Sequence, residues 1–273
     1  MPPFDVIGYW SEVKLDIIRD YAAAYSRILS ARRLTHVYID AFSGSGTHIS
    51  RATRRMVRGS PLNALAIEPP FREFHFIDID GDKVAELRRA VGTRPDVHIH
   101  HGDCNDILLR DVFSRVRYED YRRALCLLDP YGLHLNWEVI ETAGRLGTID
   151  MFLNFPTMDM NMNVLWSDPD RATQEQQLRM TRFWGDESWR SAVYDRERTL
   201  LDLEIKPLGA NELTVSAFCQ RLTAVAGFEF VPAPLPMRNS TGAVVYYLVF
   251  ASQKPVAANI VRSVFNKYRP RVR

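Results

Sequence analysis

The chain has 273 residues, of which 46% are hydrophobic and 25% are charged, and its formal net charge is +2. This composition is typical of a globular protein that buries an ample core, and the charge is too small to indicate nucleic acid by itself. No apolar run approaches a membrane helix, and the N-terminus lacks the regions of an export signal, so we expect a cytoplasmic protein without a membrane partner. The three cysteines are too widely spaced to indicate a disulfide framework or a zinc site.

The chain begins with a helix and a strand that ends in a glycine-rich turn. Residues 11–30 carry apolar side chains at helical spacing, which predicts an amphipathic helix. Residues 37–39 suit a strand buried on both faces, and an acid and a glycine-rich turn follow directly. Glycines at positions 44 and 46 allow a sharp turn that lies against a ligand without a Cβ in the way.

The glycine turn favours one class of cofactor over another. A dinucleotide fingerprint needs a third glycine for close helix packing beside the pyrophosphate, and this sequence lacks it. S-adenosylmethionine (SAM) carries no phosphate and tolerates the shorter G-x-G turn. We therefore interpret Asp40, Phe42, Gly44 and Gly46 as cofactor-binding residues.

Two further strands end near acidic residues that suit an adenosyl group. Residues 74–77 are an apolar run ending at Asp78, and a carboxylate at the tip of the second strand of a Rossmann-like sheet accepts hydrogen bonds from the ribose hydroxyls. Residues 97–101 predict a third strand, after which Asp103 is placed to receive the adenine amino group. Simpler interpretations remain open, because Asp78 could end its strand in a turn, and Asp103 or Asn105 could cap the next helix.

The fourth predicted strand leads to the candidate reaction site. Residues 124–128 deliver Asp129, Pro130 and Tyr131 to the carboxyl edge of the sheet, where open α/β proteins bind ligands. Asp129 and the Pro130 carbonyl suit an amino acceptor, and Tyr131 suits stacking on a planar ring. Methyl transfer from a sulfonium depends on positioning and desolvation more than on a strong base. The alternative is a Pro-Gly turn in which Tyr131 is a packing residue.

Arginines between the glycine turn and the next helix indicate a phosphate-binding loop. Arg51, Arg54 and Arg55 lie in this long segment beside the expected cofactor mouth, where guanidinium groups suit the phosphates of RNA or DNA. Asn154, at the end of the fifth predicted strand, suits either a hydrogen bond to the substrate or a helix cap.

The order of the elements predicts an α/β protein with a Rossmann-like class I methyltransferase sheet. Strands alternate with helices through residues 1–156, which favours parallel pairing. Two late β-rich runs, 227–231 and 243–251, predict a C-terminal antiparallel hairpin, which is absent from dinucleotide-binding sheets. Residues 208–273 complete the α/β domain, and 157–207 are predicted as a helical insertion whose tryptophans either line a substrate or partner surface or form a small core.

Motifs along nearly the whole chain resemble the three-Cys-motif partner protein (TcmP) family. The matching stretches are 10–15, 38–46, 59–62, 128–132, 154–155 and 246–252. The resemblance implies a bacterial or phage protein with a SAM-methyltransferase-like fold, whose genomic partner carries the three cysteines. The glycine turn, the Gly-Ser-Pro step and the Asp-Pro-Tyr motif also resemble the large-subunit ribosomal RNA adenine-N6 methyltransferases, which have a second proline in the last motif.

Other chemistries match the sequence less well. His98 and His100 alternate onto one face of a strand, but no nearby Cys or Asp-x-His pattern completes a metal shell, so no metal site is expected. A nucleophile elbow and a P-loop are both absent from the sequence. Two functions stay open, namely SAM-dependent methyl transfer to nucleic acid, and a non-catalytic SAM- or nucleoside-binding module that docks a partner protein.

Overall fold

The protein is organised around one large sheet and one small sheet. The computed structural model describes residues 4–168, 171–194 and 209–272. In chain order the strands are β1 (Val6–Ile7), β2 (Thr35–Asp40), β3 (Thr47–Ser50), β4 (Met56–Arg58), β5 (Glu73–Asp78), β6 (Val97–His101), β7 (Arg122–Leu128), β8 (Ile149–Phe155), β9 (Leu235–Arg238) and β10 (Val244–Ala251). The helices are α1 (Tyr9–Ala31), α2 (Ser60–Leu65), α3 (Gly81–Val91), α4 (Cys104–Ile107), α5 (Trp137–Leu146), α6 (Thr157–Asn163), α7 (Gln174–Trp184), α8 (Trp189–Val193), α9 (Ala210–Ala224) and α10 (Pro255–Tyr268). Within these ranges, none of the helices has the length and apolar character needed to cross a membrane.

The large sheet has seven strands in the order β6-β5-β2-β7-β8-β10-β9. Parallel pairs join β2 to β5 and β7, β5 to β6, and β7 to β8. Strand β10 is antiparallel to both β8 and β9. The predicted fold class, a mostly parallel Rossmann-like sheet with a C-terminal antiparallel hairpin, is therefore confirmed.

The strand order reverses beside β2, because β5 and β6 lie on one side of it and β7 and β8 on the other. In an open α/β sheet a crevice forms at such a switch point, outside the carboxyl ends of the strands. The last residues of β2 and β5 are Asp40 and Asp78. The fold thus directs both acids toward the edge of the sheet where a ligand is expected.

Helices cover both faces of the sheet. Along β2, Val37 and Ile39 belong to one core, and Tyr38 between them belongs to the other. The Tyr38 side contains residues of α1, α2, α3 and α10, whereas the Val37 side contains residues of α4, α5 and α9. Burial on both faces explains why the strands read as nearly continuous apolar runs in the sequence.

The described part of the predicted insertion packs on the Val37 side of the core. The ring of Trp184 on α7 lies 5.4 Å from that of Phe218 on α9, between centroids. Trp184 and Trp189 are each only 1% exposed, so they are core residues, as one of the two sequence interpretations proposed. Residues 169–170 and 195–207 of the predicted insertion lie outside the described residues.

The hairpin uses a different first strand from the one predicted. The prediction placed the first strand of the hairpin at 227–231, but the strand that forms the hairpin with β10 is β9. Within the predicted run, Phe230 forms only an isolated antiparallel bridge with Ser252. Prolines at positions 232 and 234 lack the backbone N–H that a ladder requires. Pro236 is tolerated within β9 because β9 is an edge strand.

Two other segments differ from their predictions. The segment around residues 51–58, predicted as a loop, contributes β4 to a small sheet in which β3 pairs with β4 and with β1. The helix predicted after β6 is short, because α4 is followed by a π-helical turn, Leu108–Val112, and a 3-10 turn, Phe113–Arg115. Short strands and changes of helix type do not produce a regular spacing of apolar residues, so the sequence does not predict them.

Candidate functional site

A deep cleft lies at the carboxyl edge of the large sheet, at the switch point beside β2. Its volume is about 1010 Å³, at the upper end of the roughly 300–1,000 Å³ that is usual for small-molecule sites. The predicted site residues that line it are Phe42, Gly44, Asp78, Asp103, Asp129, Pro130 and Tyr131. The ends of four neighbouring strands, β2, β5, β6 and β7, therefore contribute to one cavity.

The glycine turn is hydrogen-bonded to Asp78, the acid at the end of β5. Gly44 has a φ of +61°, a backbone conformation that favours glycine. Its N–H donates a 2.7 Å hydrogen bond to Asp78 Oδ2, and the Asp80 N–H donates a 2.9 Å bond to Asp78 Oδ1. Each carboxylate oxygen keeps a further lone pair, so the carboxyl group is fixed in the cleft and still able to accept hydrogen bonds.

Gly46 supports this turn from behind and does not line the cleft. Its φ is +80°, and its carbonyl accepts a 2.8 Å hydrogen bond from the Gly59 N–H. A Cβ at this position would lie 2.7 Å from Leu87 Cδ1. Gly46, which the sequence predicts as a cofactor residue, lies outside the cleft lining and packs against Leu87.

Asp40 is a second predicted cofactor residue that lies behind the cleft wall. It is fully buried, and its Oδ1 accepts a 3.3 Å hydrogen bond from the Phe42 N–H. Its Oδ2 has no hydrogen-bond partner in the described part of the chain. Burial raises the pKa of Asp40 to about 7, against the smaller opposing effects of the Ser60 hydroxyl and the Phe42 N–H. The last residue of a strand buried on both faces can stay inside the core, which explains the difference from the prediction.

Asp103 caps α4 and also lines the cleft. Its Oδ1 accepts hydrogen bonds from the Asn105 N–H, at 2.8 Å, and from the Asn105 side-chain amide, at 2.9 Å. The helix-cap alternative is therefore confirmed. Because the residue remains exposed, its second oxygen is free to face a ligand.

Ile79 is an apolar cleft residue between Asp78 and Asp80 in the sequence. Ile79 directly follows Asp78, is 73% exposed and lines the cleft. Ligand sites combine apolar surface with a few polar groups, so Ile79 can contact the apolar part of a ligand. Sequence reasoning did not select Ile79, although an isoleucine between two aspartates at a strand end was the available signal.

Asp129 is held from two sides. The Lys14 ammonium donates a hydrogen bond to Asp129 Oδ2, and the Asn154 side-chain amide donates one to Oδ1. Lys14 is buried and lines the cleft, whereas Asn154 is buried and does not line it. Asn154 was predicted as a substrate contact, and it contacts Asp129 instead. The sequence analysis did not identify Lys14, because the sequence of α1 does not show that this residue contacts Asp129, 115 positions away.

Tyr131 is a surface residue of the cleft. It is 88% exposed, so the alternative in which it packs in the core is wrong. The preceding Pro130 is buried and also lines the cleft. An exposed phenol ring beside a rigid proline suits contact with a planar group.

The cationic residues at the cleft differ from those predicted. Arg51, Arg54 and Arg55 are exposed around the turn between β3 and β4 and do not line the cleft. Arg179 and Arg182 of α7 do line it. Sequence reasoning could not select these two, because their position depends on how α7 packs against the domain.

Solved structures resemble this chain over most of its length. Protein LPL1258 from Legionella pneumophila str. Philadelphia 1, with the family model DUF519, matches with a TM-score of 0.50 and 10% identity over 94% of this chain and 93% of its own. A putative S-adenosylmethionine dependent methyltransferase from Listeria monocytogenes matches with a TM-score of 0.40 and 10% identity, over 81% of this chain and 92% of its own. The methyltransferase domain of bacterial-CtHen1-CN matches with a TM-score of 0.41 and 9% identity, over 86% of this chain and 99% of its own.

The sheet order and the position of the cleft define a Rossmann-like α/β protein, and the match to LPL1258 is a similarity of fold. At these identities, structural similarity establishes a fold and no activity. No protein-family model matches the chain, and no curated protein matches it.

Proposed function

We propose that this protein is a SAM-dependent methyltransferase that acts on nucleic acid. The observation that carries the proposal is the convergence of Gly44, Asp78, Asp103 and Asp129, from the ends of four strands, on one cleft. We infer SAM binding from these residues. We infer a nucleic-acid acceptor from the charges at the cleft and from the resemblance of the Asp-Pro-Tyr motif.

The cleft residues fit an adenosyl sulfonium. The lining of the cleft includes the carboxylates of Asp78, Asp80 and Asp103, which favour a cation. Asp78 keeps acceptor capacity for ribose hydroxyls, and the exposed Ile79 offers an apolar surface to a purine ring. When bound, SAM supplies a methyl group on a positively charged sulfur, ready for in-line transfer.

Around the acceptor position, the chain supplies orientation. The hydrogen bonds from Lys14 and Asn154 fix the Asp129 carboxylate, and the adjacent Pro130 and Tyr131 complete this wall of the cleft. Holding an acceptor in the correct attack geometry contributes several kcal/mol to lowering a barrier. We infer that Asp129 orients the acceptor and that Tyr131 contacts its ring.

Two arginines support a nucleic-acid substrate. Arg179 and Arg182 lie one helical turn apart on α7 and line the same cleft as Asp129. Guanidinium groups bind phosphate oxygens in bidentate fashion and position a nucleic-acid backbone. We infer that they contact phosphates while the acceptor base enters the cleft.

Transfer of labelled methyl from SAM to RNA or DNA tests this function. We expect the wild type to label one of the two, and Asp129→Asn to lose at least about 100-fold in rate while its SAM affinity stays within about twofold. Asp82→Asn, on the exposed first turn of α3 and outside the cleft, is the matched control. Absence of label from both nucleic acids with the wild type would contradict the proposal.

The second candidate function is a SAM- or nucleoside-binding module that docks a partner, such as the three-cysteine protein that the TcmP resemblance implies. It is favoured by the ion pair between Lys14 and Asp129, because a carboxylate paired with a buried ammonium attracts a substrate amine less strongly. Co-purification with a three-cysteine protein, together with SAM binding and no methyl transfer, would support this function.

A further inference from the structure

A cluster of imidazole and carboxylate groups lies on the sheet away from the cleft. Glu73 and His75 belong to β5, and His98, from the neighbouring edge strand β6, is the direct register partner of His75. Glu73 Oε1 lies 2.7 Å from His75 Nε2 and 3.7 Å from His98 Nε2. One ligand atom from each of the three residues lies within 4.8 Å of the other two. None of the three lines the cleft.

We propose that Glu73, His75 and His98 form a binding site for one Zn²⁺ ion. Two imidazoles and one carboxylate are a ligand set that Zn²⁺ accepts, whereas Mg²⁺ and Ca²⁺ prefer oxygen ligands alone. Zinc binding requires each of the three ligand atoms to lie roughly 2.0–2.2 Å from the metal. The His98 side chain is 39% exposed, so a water molecule can reach the fourth position.

The neighbouring side chains support the ligands as outer partners of a metal site do. His75 Nδ1 lies 3.1 Å from His100 Nε2, so the His75 tautomer that binds metal through Nε2 can donate its Nδ1–H to His100. Such a hydrogen bond fixes the ring orientation of a metal-ligating histidine.

The carboxylate ligand has an outer partner as well. The Arg122 guanidinium donates a hydrogen bond to Glu73 Oε2, which leaves Oε1 directed at the two histidines. Arg122 also forms an ion pair with Glu73, and an ionised carboxylate is the form that binds zinc.

The cluster lies apart from the cleft, so the metal would be separate from the proposed methyl transfer. The site would bridge β5 to the edge strand β6, a few residues before Asp78 and Asp103 reach the cleft. The sequence expectation of no metal site considered only the histidines of β6. Parallel pairing with β5 supplies the carboxylate and the buried histidine that were missing from that argument.

The experiment is a titration of chelator-treated full-length protein with Co²⁺, followed by displacement with Zn²⁺. We expect the visible absorption of four-coordinate Co²⁺ to saturate at one equivalent per chain and to disappear when Zn²⁺ is added. His98→Asn should weaken Zn²⁺ binding by at least about 100-fold, since loss of an outer partner alone costs about 10- to 100-fold. The His98 side chain is partly exposed, so this variant is expected to fold.

Two further variants separate this site from others in the protein. His101→Asn, on the same strand and hydrogen-bonded to the Ile79 carbonyl, should bind Co²⁺ as the wild type does. His98→Cys should restore binding and add a thiolate-to-cobalt charge-transfer band. Unchanged binding in His98→Asn, or no saturable Co²⁺ spectrum in the wild type, would show that the cluster is a hydrogen-bonded network without a metal.

Discussion

The Lys14 ammonium of α1 donates a hydrogen bond to the Asp129 carboxylate at the end of β7, across 115 positions of the chain. Lys14 is buried, and the Asp129 side chain is 30% exposed at the cleft. Asn154 binds the other carboxylate oxygen. The first helix therefore determines the orientation of the residue that we assign to the acceptor.

We predict measurable energetic coupling between these two residues. A double-mutant cycle with Lys14→Met and Asp129→Asn should give a coupling free energy of about 1–3 kcal/mol, because the bond is charge-assisted and its donor is desolvated. Urea unfolding of the wild type, both single variants and the double variant measures it. Additive effects of the two substitutions on the free energy of unfolding would contradict the contact.

Asp78→Asn should weaken the binding of S-adenosylhomocysteine by about 1–3 kcal/mol, the scale of a lost charge-assisted hydrogen bond. Asparagine preserves the size of the side chain but replaces one acceptor oxygen with a donor. Isothermal titration calorimetry measures the change, with Asp82→Asn as the control outside the cleft. Equal affinity in the Asp78 variant and the wild type would remove Asp78 from the cofactor site.

Asp40 should make the protein less stable as the pH rises from about 4 to 7. Burial raises the folded-state pKa of Asp40 to about 7, so in this range the folded state binds more protons than the unfolded state, and stability falls with pH. The loss is roughly 4 kcal/mol for about three pKa units, and it levels off above the folded-state pKa.

The neutral variant Asp40→Asn isolates this contribution. The difference in the free energy of unfolding between Asp40→Asn and the wild type should shift in favour of the variant between pH 4.5 and pH 8. Urea unfolding at the two pH values measures the shift. Parallel pH profiles for the two proteins would mean that Asp40 is ionised throughout.

Substitutions at the two glycines of the turn should differ in cost. At Gly44, an added Cβ meets only His48 Cε1 at 3.9 Å, so Gly44→Ala carries mainly the strain of a positive φ, about 1–2 kcal/mol. At Gly46, the Cβ also meets Leu87 Cδ1 at 2.7 Å, which adds about 1–3 kcal/mol of overpacking. Chemical denaturation of both variants measures the difference, and a more stable Gly46→Ala would contradict the packing role.

Arg182→Gln should weaken nucleic-acid binding and reduce its dependence on salt. Loss of one phosphate contact lowers the slope of log K against log salt by about 0.7–0.9. Fluorescence anisotropy with a labelled oligonucleotide over a salt series measures the slope. Arg55→Gln, at an exposed position outside the cleft, should leave the slope nearly unchanged. A larger change of slope in Arg55→Gln than in Arg182→Gln would contradict this prediction and support Arg55 as the phosphate contact.

The sequence was most informative where strands end. Asp78, Asp103 and Asp129 each follow an apolar run, and parallel strands bring their carboxyl ends to one edge, so their shared cleft could be predicted without coordinates. Asp40 follows the same pattern and is nevertheless buried behind the cleft wall. Which way the last side chain of a strand faces depends on packing that the pattern does not encode.

Residues that depend on tertiary packing could not be predicted. Lys14 reaches the site because α1 packs against the sheet, and Arg179 because α7 packs beside the cleft. Glu73 joins His98 only through the register between β5 and β6. No local pattern shows these contacts, since helix packing and strand register connect positions far apart in the chain.

The most direct test of the central claim is an experimental structure of the protein with S-adenosylhomocysteine. The account predicts ligand density in the cleft at the switch point, with the ribose hydroxyls at Asp78 and the purine beside Ile79 and Asp103. An empty cleft at saturating ligand, or density elsewhere on the protein, would contradict it.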